Sequence, residues 1–318
     1  MYKMKTIPGG LWPVMLTPFT EKGKIDFQGL EELIEFYISA GASGLFSNCL
    51  SSEMYSLSAE ERYMITRYTV RVSNGRVPVI STGTFSESEK ENAEFSARIF
   101  DTGIEAVVIN SNQLCREDED DGIFLRRLNT FMNLTGDIPL GIYECPVPYK
   151  RQLSGRILTQ IAQSGRFLYY KETSCNNHVI KDKLSAIENT GLSLFNANTP
   201  TALQSLRDGA AGLSPIGANF YPELYSFLSS FYHNIEQKDE IGQVNRFLGW
   251  NDITIHYAYP FSAKWFLKKR GLNIGDFTRT AFEKPGSRAL NNLNDLYTSY
   301  IDLKGRLEEK GLKSNVVI

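Results

Sequence analysis

Short apolar runs alternate with amphipathic segments over the first two thirds of this chain. We predict a strand from each run, because its residues suit the two buried faces of a parallel sheet. The eight predicted strands cover residues 11–16, 44–48, 77–83, 106–110, 139–143, 167–171, 192–196 and 211–216. Eight strand–helix units in succession predict the α/β class and, within it, a closed (β/α)₈ barrel, the TIM barrel.

Several of the intervening helices have recognisable starts. Asp26 precedes an amphipathic segment that ends at Gly41, so we predict that its side chain caps the first helix. Ser58 and Glu61 have the spacing of a capping box, which predicts the start of the second helix. A third cap lies within residues 86–89. Further helices are predicted near residues 121–134, 153–162 and 200–207, and from about residue 176.

The pattern changes after about residue 227. From there on, apolar positions recur with helical spacing and no further strand-like run follows. We therefore predict a barrel domain over residues 1–227 and a helical C-terminal extension over residues 228–318. Barrels of this type have their active site at the carboxyl ends of the strands, so the residues there are the candidates for function.

Lys171 ends the sixth predicted strand, after the apolar and aromatic residues 167–170. Burial disfavours the charged form of a lysine, and the resulting free amine attacks carbonyl carbons to form Schiff bases. On the strand pattern alone, an ammonium group in water is the more common outcome. Tyr143 ends the preceding strand, however, and supplies a phenol for proton transfer. The pair favours the catalytic interpretation.

Composition limits the classes of function. A net charge of −2 and a pI of about 6.0 give no electrostatic reason to expect nucleic acid or an anionic membrane as a partner. No apolar run approaches the roughly 20 residues that span a bilayer. Prolines 8, 13 and 18 interrupt any signal-peptide core. We expect a soluble, cytoplasmic protein with reduced thiols.

Four cysteines follow predicted strand ends, at positions 49, 115, 145 and 175. Their spacing matches no zinc pattern, and the three histidines are not grouped with them, so we predict no metal site. Our hypothesis is that some of these thiols line a substrate cavity. A saturating keto acid would then protect them from alkylation.

Short motifs recur in a fixed order along the chain. They are Gly41-Ala42-Ser43-Gly44-Leu45, Glu53 with Ser56-Leu57-Ser58-Ala59-Glu60-Glu61-Arg62, Gly83-Thr84, Tyr143-x-x-Pro146, Lys171-x-Thr173-Ser174, Gly209-Ala210-x-Gly212, Ala218-Asn219, Pro222, Ser262-Ala263-Lys264 and Gly271-Leu272. In this order, and with this spacing of tyrosine and lysine, the chain resembles the dihydrodipicolinate synthase and N-acetylneuraminate lyase family of class I, Schiff-base aldolases and lyases. The resemblance covers nearly the whole chain.

The resemblance implies an enzyme that needs no cofactor. Lys171 matches the lysine that condenses with the keto carbon of pyruvate or another 2-keto acid. Tyr143 matches the tyrosine that relays protons and positions the substrate carboxylate. Ser51 matches a hydroxyl that binds this carboxylate, although a serine there can also cap the following turn. Thr173 matches a substrate contact of the lyase and sugar-acid aldolase branches.

Leu50 and Ile216, at the ends of the second and eighth strands, complete the expected substrate-binding set. Glu53 is expected to be structural and to bond backbone amides of its own loop. The resemblance further implies small-molecule keto acid and aldehyde substrates, and a homo-oligomer, either a tetramer or a dimer.

The chain also departs from the family pattern. Leu50 stands where the family has the first hydroxyl of its loop, and Pro148 stands where a synthase has its carboxylate-binding arginine. Lys150 or Arg151 can replace that arginine only if the loop is displaced. No tyrosine follows the fourth strand at the position of the second relay tyrosine of a synthase. Thr199-Pro200 replaces the acidic pair of neuraminate lyases.

Two classes of function therefore stay open. The first is a lyase or aldolase that makes or breaks a carbon–carbon bond. Within it, a 2-keto-3-deoxy sugar acid competes with true dihydrodipicolinate synthesis, against which Pro148 counts. The second is a ligand-binding or regulatory protein that has kept the barrel and lost turnover, which Cys49 and Leu50 favour. Turnover of a broad panel of keto acids and aldehydes would separate the two classes.

Overall fold

Eight parallel strands form the sheet of this protein. The structure, a computed structural model, describes residues 6–280 and 285–310. The strands are β1 (Gly10–Leu11), β2 (Leu45–Phe46), β3 (Val79–Thr82), β4 (Ala106–Asn110), β5 (Leu140–Tyr143), β6 (Phe167–Glu172), β7 (Ser193–Asn196) and β8 (Gly212–Leu213). Their order is β1-β8-β7-β6-β5-β4-β3-β2. A parallel bridge between Val14 and Phe46 joins the two ends of this sheet. The predicted (β/α)₈ barrel is confirmed.

Helices follow the strands and cover the sheet. They are α1 (Phe27–Ser39), α2 (Ala59–Ser73), α3 (Glu89–Phe100), α4 (Asp121–Leu134), α5 (Gly155–Gln163), α6 (Asn177–Ala186), α7 (Ala202–Arg207), α8 (Pro222–Phe231), α9 (Lys238–Trp250), α10 (Asp252–His256), α11 (Phe261–Lys269) and α12 (Ser287–Glu309). The predicted caps are confirmed for the first three: Asp26 accepts from the Gly29 amide, Ser58 forms a capping box with Glu61, and Ser88 caps α3.

The first and last strands are shorter than predicted. Pro13 and Pro215 interrupt the apolar runs 11–16 and 211–216, and proline has no N–H to donate to a ladder. The barrel therefore closes through a few hydrogen bonds, such as Phe46 N to Pro13 O at 3.1 Å. Gly212 permits a close approach at this seam, because a β-carbon there would lie 1.9 Å from the carbonyl oxygen of Gly10.

Aromatic side chains fill the barrel interior. The rings of Tyr169 and Phe195 stack with centroids 4.7 Å apart, and Trp12 lies 5.5 Å from each of them. All three are fully buried. Because side chains alternate along a strand, Tyr169 and Lys171 share the inward face of β6. The aromatic cluster therefore forms the floor beneath the lysine.

The C-terminal helices α9 to α12 confirm the predicted helical extension. Helix α8 spans Pro222–Phe231 and so crosses residue 227, and the division of the chain at that residue stays a prediction. Tyr221, Phe266 and Tyr300 pack their rings together and join α8, α11 and α12. Within residues 6–280 and 285–310, no helix is both long and apolar enough to cross a membrane.

Candidate active site

Lys171 and Tyr143 lie opposite each other on neighbouring strands. They are paired in the register of β5 and β6, and the amine nitrogen of Lys171 lies 4.3 Å from the centre of the Tyr143 ring. Both residues are buried, with relative exposures of 4% and 3%. The amine thus faces an aromatic ring rather than a carboxylate, and nothing in this contact cancels its charge as an ion pair would.

Burial lowers the pKa of Lys171 from its ordinary value of 10.5 to about 8, although the neighbouring thiols of Cys49 and Cys145 oppose the shift. The cause is desolvation, which penalises the ammonium form. At pH 7 a pKa of 8 leaves roughly one amine in ten neutral, against roughly one in three thousand at the ordinary value. The free amine expected from the strand pattern is therefore available near neutral pH.

A cavity of about 560 Å³ opens above the lysine at the carboxyl ends of the strands. Every predicted site residue lines it: Leu50, Ser51, Tyr143, Lys171, Thr173 and Ile216. The structure thus brings together six residues from four separate segments of the chain. Their individual catalytic and binding roles stay predictions.

Two neighbouring serines in the loop after β2, Ser51 and Ser52, have different surroundings. The Ser52 hydroxyl accepts from the Cys49 amide at 3.2 Å, and its oxygen lies within hydrogen-bond distance of two carbonyls, those of Met15, at 2.6 Å, and Ser47. Ser52 therefore holds the loop in place. Ser51 lines the cavity instead, where its hydroxyl lies near the phenol of Tyr259.

Glu53 has a structural role, but with partners other than those expected. Its carboxylate accepts from the amine of Lys264 at 2.7 Å and from the backbone amides of Arg279 and Thr280 at 2.6 and 2.7 Å. The expectation that it bonds amides of its own loop was wrong. The reason is topological, because the segment after α11 returns to the barrel mouth and presents two adjacent N–H groups there.

An ion cluster beneath the strand ends fixes the orientation of the pair. Glu144 and Glu172 directly follow Tyr143 and Lys171, and both carboxylates accept from the buried amine of Lys183, at 2.8 and 2.9 Å. These three side chains are almost completely buried. Since strand side chains alternate, holding both glutamates outside the barrel turns the lysine and tyrosine inward.

Sequence reasoning missed several residues that line the cavity. They are Tyr55, Asn198, Asp252, His256 and Tyr259. The last three come from the C-terminal helical region, whose spacing predicted helices but not that α10 and its following turn reach the barrel mouth. Tyr55 follows the loop of Ser51, and its position in a short 3₁₀ turn had no periodic pattern to indicate its direction.

The two basic residues after Pro148 behave differently. Lys150 lines the cavity, and its amine donates to the carbonyl of Thr173 at 2.9 Å. Arg151 turns away and bonds the carbonyl of Glu119 and the carboxylate of Asp121. The cavity is therefore lined by a cation, which Lys150 supplies.

The four thiols do not share one position. Cys49, Cys115 and Cys145 are buried, whereas Cys175 is exposed and lines the cavity. In the part of the chain that the structure describes, no group of three or more histidine, cysteine, aspartate or glutamate side chains is placed to hold a metal ion.

This protein is thus a TIM-barrel protein with a buried lysine, Lys171, at the carboxyl ends of its strands. The chain belongs to the Dihydrodipicolinate synthetase family, whose model matches residues 7–298. The resemblance recognised from the sequence motifs is thereby confirmed.

Individual relatives are distant. The chain is 24% identical over 258 residues to the 4-hydroxy-tetrahydrodipicolinate synthase of Gluconacetobacter diazotrophicus, covering 81% of this chain and 86% of that protein. The solved dihydrodipicolinate synthase of Bacteroides thetaiotaomicron is 23% identical, with a TM-score of 0.83 over 93% of this chain and 100% of that one. A prophage protein of the same family from E. coli K12, solved in complex with pyruvate, is 19% identical with a TM-score of 0.82, over 93% and 98%. These structures share the fold.

Proposed function

We propose that this protein is a class I lyase or aldolase whose Lys171 forms a Schiff base with the keto carbon of pyruvate or a related 2-keto acid. The carrying observation is the buried amine of Lys171, with a pKa lowered to about 8 by desolvation, against the Tyr143 ring in the cavity at the carboxyl ends of the strands. Membership of an enzyme family with small-molecule substrates supports an enzymatic function.

In the proposed reaction, the neutral amine attacks the keto carbon and gives a carbinolamine. Loss of the hydroxyl as water, with a proton from Tyr143, leaves a protonated imine. This cation withdraws electrons from the bond to the neighbouring carbon, which is then broken or formed. The imine itself is the electron sink, so the proposed chemistry calls for no organic cofactor and no metal.

We propose that the substrate is bound by residues that line the cavity. Ser51 and Thr173 line the cavity and offer hydroxyls to the substrate carboxylate, while the apolar side chains of Leu50 and Ile216 reduce the contact of the bound substrate with water. Removing water strengthens each polar contact that remains. Lys150 supplies the positive charge that Pro148 lacks.

For the substrate, we favour a hydroxylated acid of the 2-keto-3-deoxy sugar-acid type. Asn198, Asp252 and His256 line the outer cavity and suit a chain of hydroxyl groups. Dihydrodipicolinate synthesis is the second candidate, which the names of the relatives favour. A member that binds such acids without turnover is the third.

We also propose a cytoplasmic homo-oligomer, a tetramer or a dimer. Trp250, Ile253 and Tyr257 expose large apolar surfaces on and just after α9 and α10, with relative exposures of 79%, 86% and 49%. Burying such a patch against a second copy would remove it from water.

Reductive trapping tests this function. The protein is incubated with pyruvate and borohydride, and the site of any added mass is located by peptide mapping. We expect an adduct on Lys171 and none in Lys171→Arg, whereas Lys150→Arg keeps the adduct. If only another keto acid gave an adduct, that keto acid would replace pyruvate as the proposed substrate. No adduct with any carbonyl compound would overturn the enzymatic proposal in favour of a binding protein.

A further inference from the structure

Helix α10 contributes two side chains to the wall of the cavity. Asp252 and His256 are four residues apart, so they share one face of this helix, and both line the cavity above the lysine. The turn formed by residues 216–219, at the end of β8, packs against α10. Ile255 anchors the helix with a fully buried side chain. The packing of α10 thus holds this aspartate and this histidine at the mouth of the barrel.

The ring of His256 has one nitrogen against its own helix. Nδ1 lies 2.7 Å from the backbone carbonyl oxygen of Asp252. A carbonyl oxygen only accepts hydrogen bonds, so Nδ1 carries the hydrogen, and in the neutral ring Nε2 keeps its lone pair. The contact therefore selects the tautomer in which Nε2 is a base. The side chain is 58% exposed, which leaves the ring accessible to a molecule in the cavity mouth.

The carboxylate of Asp252 lies beside the same ring. Its Oδ2 is 3.8 Å from Nδ1 of His256, and the aspartate side chain is only 15% exposed. In the part of the chain that the structure describes, no lysine or arginine pairs with this carboxylate, and no group donates to its buried Oδ1. Its charge is therefore free to stabilise the imidazolium that forms when Nε2 takes up a proton.

Breaking a carbon–carbon bond next to the imine calls for a base at the outer end of the cavity. Lys171 would hold the keto carbon at the inner end, where the aromatic cluster closes the barrel, so a bound acid extends toward the mouth. In a 4-hydroxy-2-keto acid the bond that breaks joins the third and fourth carbons. It breaks when the hydroxyl on the fourth carbon gives up its proton. Tyr143 lies at the amine, at the other end of such a molecule.

Carboxylates and imidazoles are the side chains that ordinarily accept a proton near neutral pH. Among the described residues that line the cavity, they are Glu53, Asp252 and His256. The carboxylate of Glu53 is taken up by the amine of Lys264 and by two backbone amides. Asp252 is much less exposed than His256. The imidazole is thus the most accessible base at the outer end of the cavity.

We propose that His256 is the catalytic base for the aldehyde half of the substrate, and that Asp252 is a positioning residue that acts through this histidine. The proposal rests on the Schiff-base function proposed above. The substrate is then a 4-hydroxy-2-keto acid, a class that includes the 2-keto-3-deoxy sugar acids. Tyr143 serves the imine, whereas His256 serves the hydroxyl of the carbon that is released.

The step balances in atoms and electrons. Nε2 of His256 takes the hydroxyl proton, and the electron pair of that O–H bond forms the carbonyl of the departing aldehyde. The bond between the third and fourth carbons breaks, and its electron pair forms the double bond of an enamine, whose nitrogen on Lys171 becomes neutral. Water then takes the proton from the imidazolium, and the enamine takes one proton from solvent at its third carbon. In the reverse direction, the imidazolium protonates the aldehyde oxygen as the bond forms.

The competing interpretation is purely structural. A histidine in the last turn of a helix is stabilised by the helix dipole, and the contact of Nδ1 with the Asp252 carbonyl is local to α10. On this interpretation the ring of His256 takes no part in the chemistry, and its replacement leaves the rate of bond formation unchanged.

His256→Ala separates the two interpretations, with His233→Ala as the matched control. His233 is also exposed but does not line the cavity. Pyruvate is mixed with glycolaldehyde, glyceraldehyde or erythrose, and NMR follows both bond formation and the exchange of pyruvate methyl protons into heavy water. We expect His256→Ala to lower kcat for bond formation by about 100-fold, the usual contribution of a general base, with methyl exchange within about threefold of the wild type. Methyl exchange involves no aldehyde, and His233→Ala should change neither rate.

Two further measurements separate a base from a packing effect. Imidazole added to His256→Ala should restore part of the lost rate, because the position is open to solvent and a free base can replace the side chain. Asp252→Asn keeps the shape and removes the charge, and we expect it to lower bond formation by about tenfold, the effect of roughly one pKa unit on the imidazole. Adding it to His256→Ala should cause no further loss, because the aspartate acts through the histidine. Additive losses would overturn the role of Asp252.

The remaining outcomes keep the two proposals distinguishable. A loss below about threefold in His256→Ala, an equal loss of methyl exchange, or no rescue by imidazole would overturn the role of His256. A wild-type adduct on Lys171 with methyl exchange, but without bond formation for any aldehyde, would overturn this inference and leave the Schiff base intact. Absence of both adduct and exchange in the wild type would overturn the Schiff-base function and this inference together.

Discussion

The amine of Lys183, on α6, lies 2.8 Å from a carboxylate oxygen of Glu144, the residue that follows Tyr143. The same oxygen accepts from the hydroxyl of Tyr170 at 2.6 Å and from the amide of Leu153 at 2.7 Å. A second carboxylate, that of Glu172, shares the amine. One buried cation thus connects the ends of both strands that carry the site.

Replacing this cation should destabilise the fold. Lys183→Met leaves two buried carboxylates without their common partner, and breaking a buried ion pair from one side costs about 3–5 kcal/mol. Urea unfolding should show this loss. Lys181→Met, at an exposed position of the same helix, is the matched control and should change stability by less than about 0.5 kcal/mol. Equal effects of the two variants would refute the structural role of Lys183.

The rate of imine formation should depend on pH through Lys171. Only the neutral amine attacks a carbonyl, and its pKa is lowered to about 8. We expect the rate to rise with pH, to bend near pH 8, and to level off above it. Stopped-flow trapping of the imine between pH 6 and 10 measures this profile. A rate that still rises at pH 10 without any bend would mean that burial does not perturb the amine.

The same shift has a stability cost. The pKa of Lys171 is lower in the folded than in the unfolded chain because burying the ammonium costs free energy, and this penalty is largest below pH 8, where the amine is charged in both states. It fades as pH rises from 8 to 10.5, where both states become neutral. Lys171→Met should therefore gain up to about 3 kcal/mol at pH 7. Unfolding at pH 7 and pH 10 checks this, since the gain should shrink at the higher pH. A gain that is independent of pH would contradict it.

Tyr259 should support substrate binding through Ser51. Its phenol accepts from the Asn219 side chain at 2.6 Å and lies near the Ser51 hydroxyl. Tyr259→Phe removes the hydroxyl that meets both residues, and we expect KM for the keto acid to rise by about three- to tenfold with a smaller change in kcat. Tyr37→Phe is the control, because Tyr37 bonds the other end of Asn219 from α1, away from the cavity. If both variants raise KM equally, the effect is structural.

The local parts of this fold were readable from the sequence. Asp26 and Ser58 cap their helices because a cap needs only residues three positions apart. Strand β4 has the predicted bounds, since an uninterrupted apolar run leaves no alternative to burial on both faces. The ends of β1 and β8 were less predictable, because Pro13 and Pro215 matter only once the neighbouring strand is known.

The site was readable in part for the same reason. The desolvation of Lys171 was decided by the closed barrel, since a lysine that ends an aromatic run can also place its ammonium in water. The sequence by itself determined that this lysine ends a predicted strand. It also determined the pairing with Tyr143, since both residues end neighbouring strands of a parallel sheet.

Only the tertiary structure decided what surrounds this pair. Tyr259 reaches Ser51 from a segment about 200 residues away, and Cys145 reaches Tyr55 across two different loops. Loops have no periodicity that indicates the direction of a side chain. Contacts between them depend on the closed barrel and on helices packed over its mouth. Neighbouring residues along the chain predict which segments are buried, whereas residues far away in the sequence decide which partners a buried group contacts.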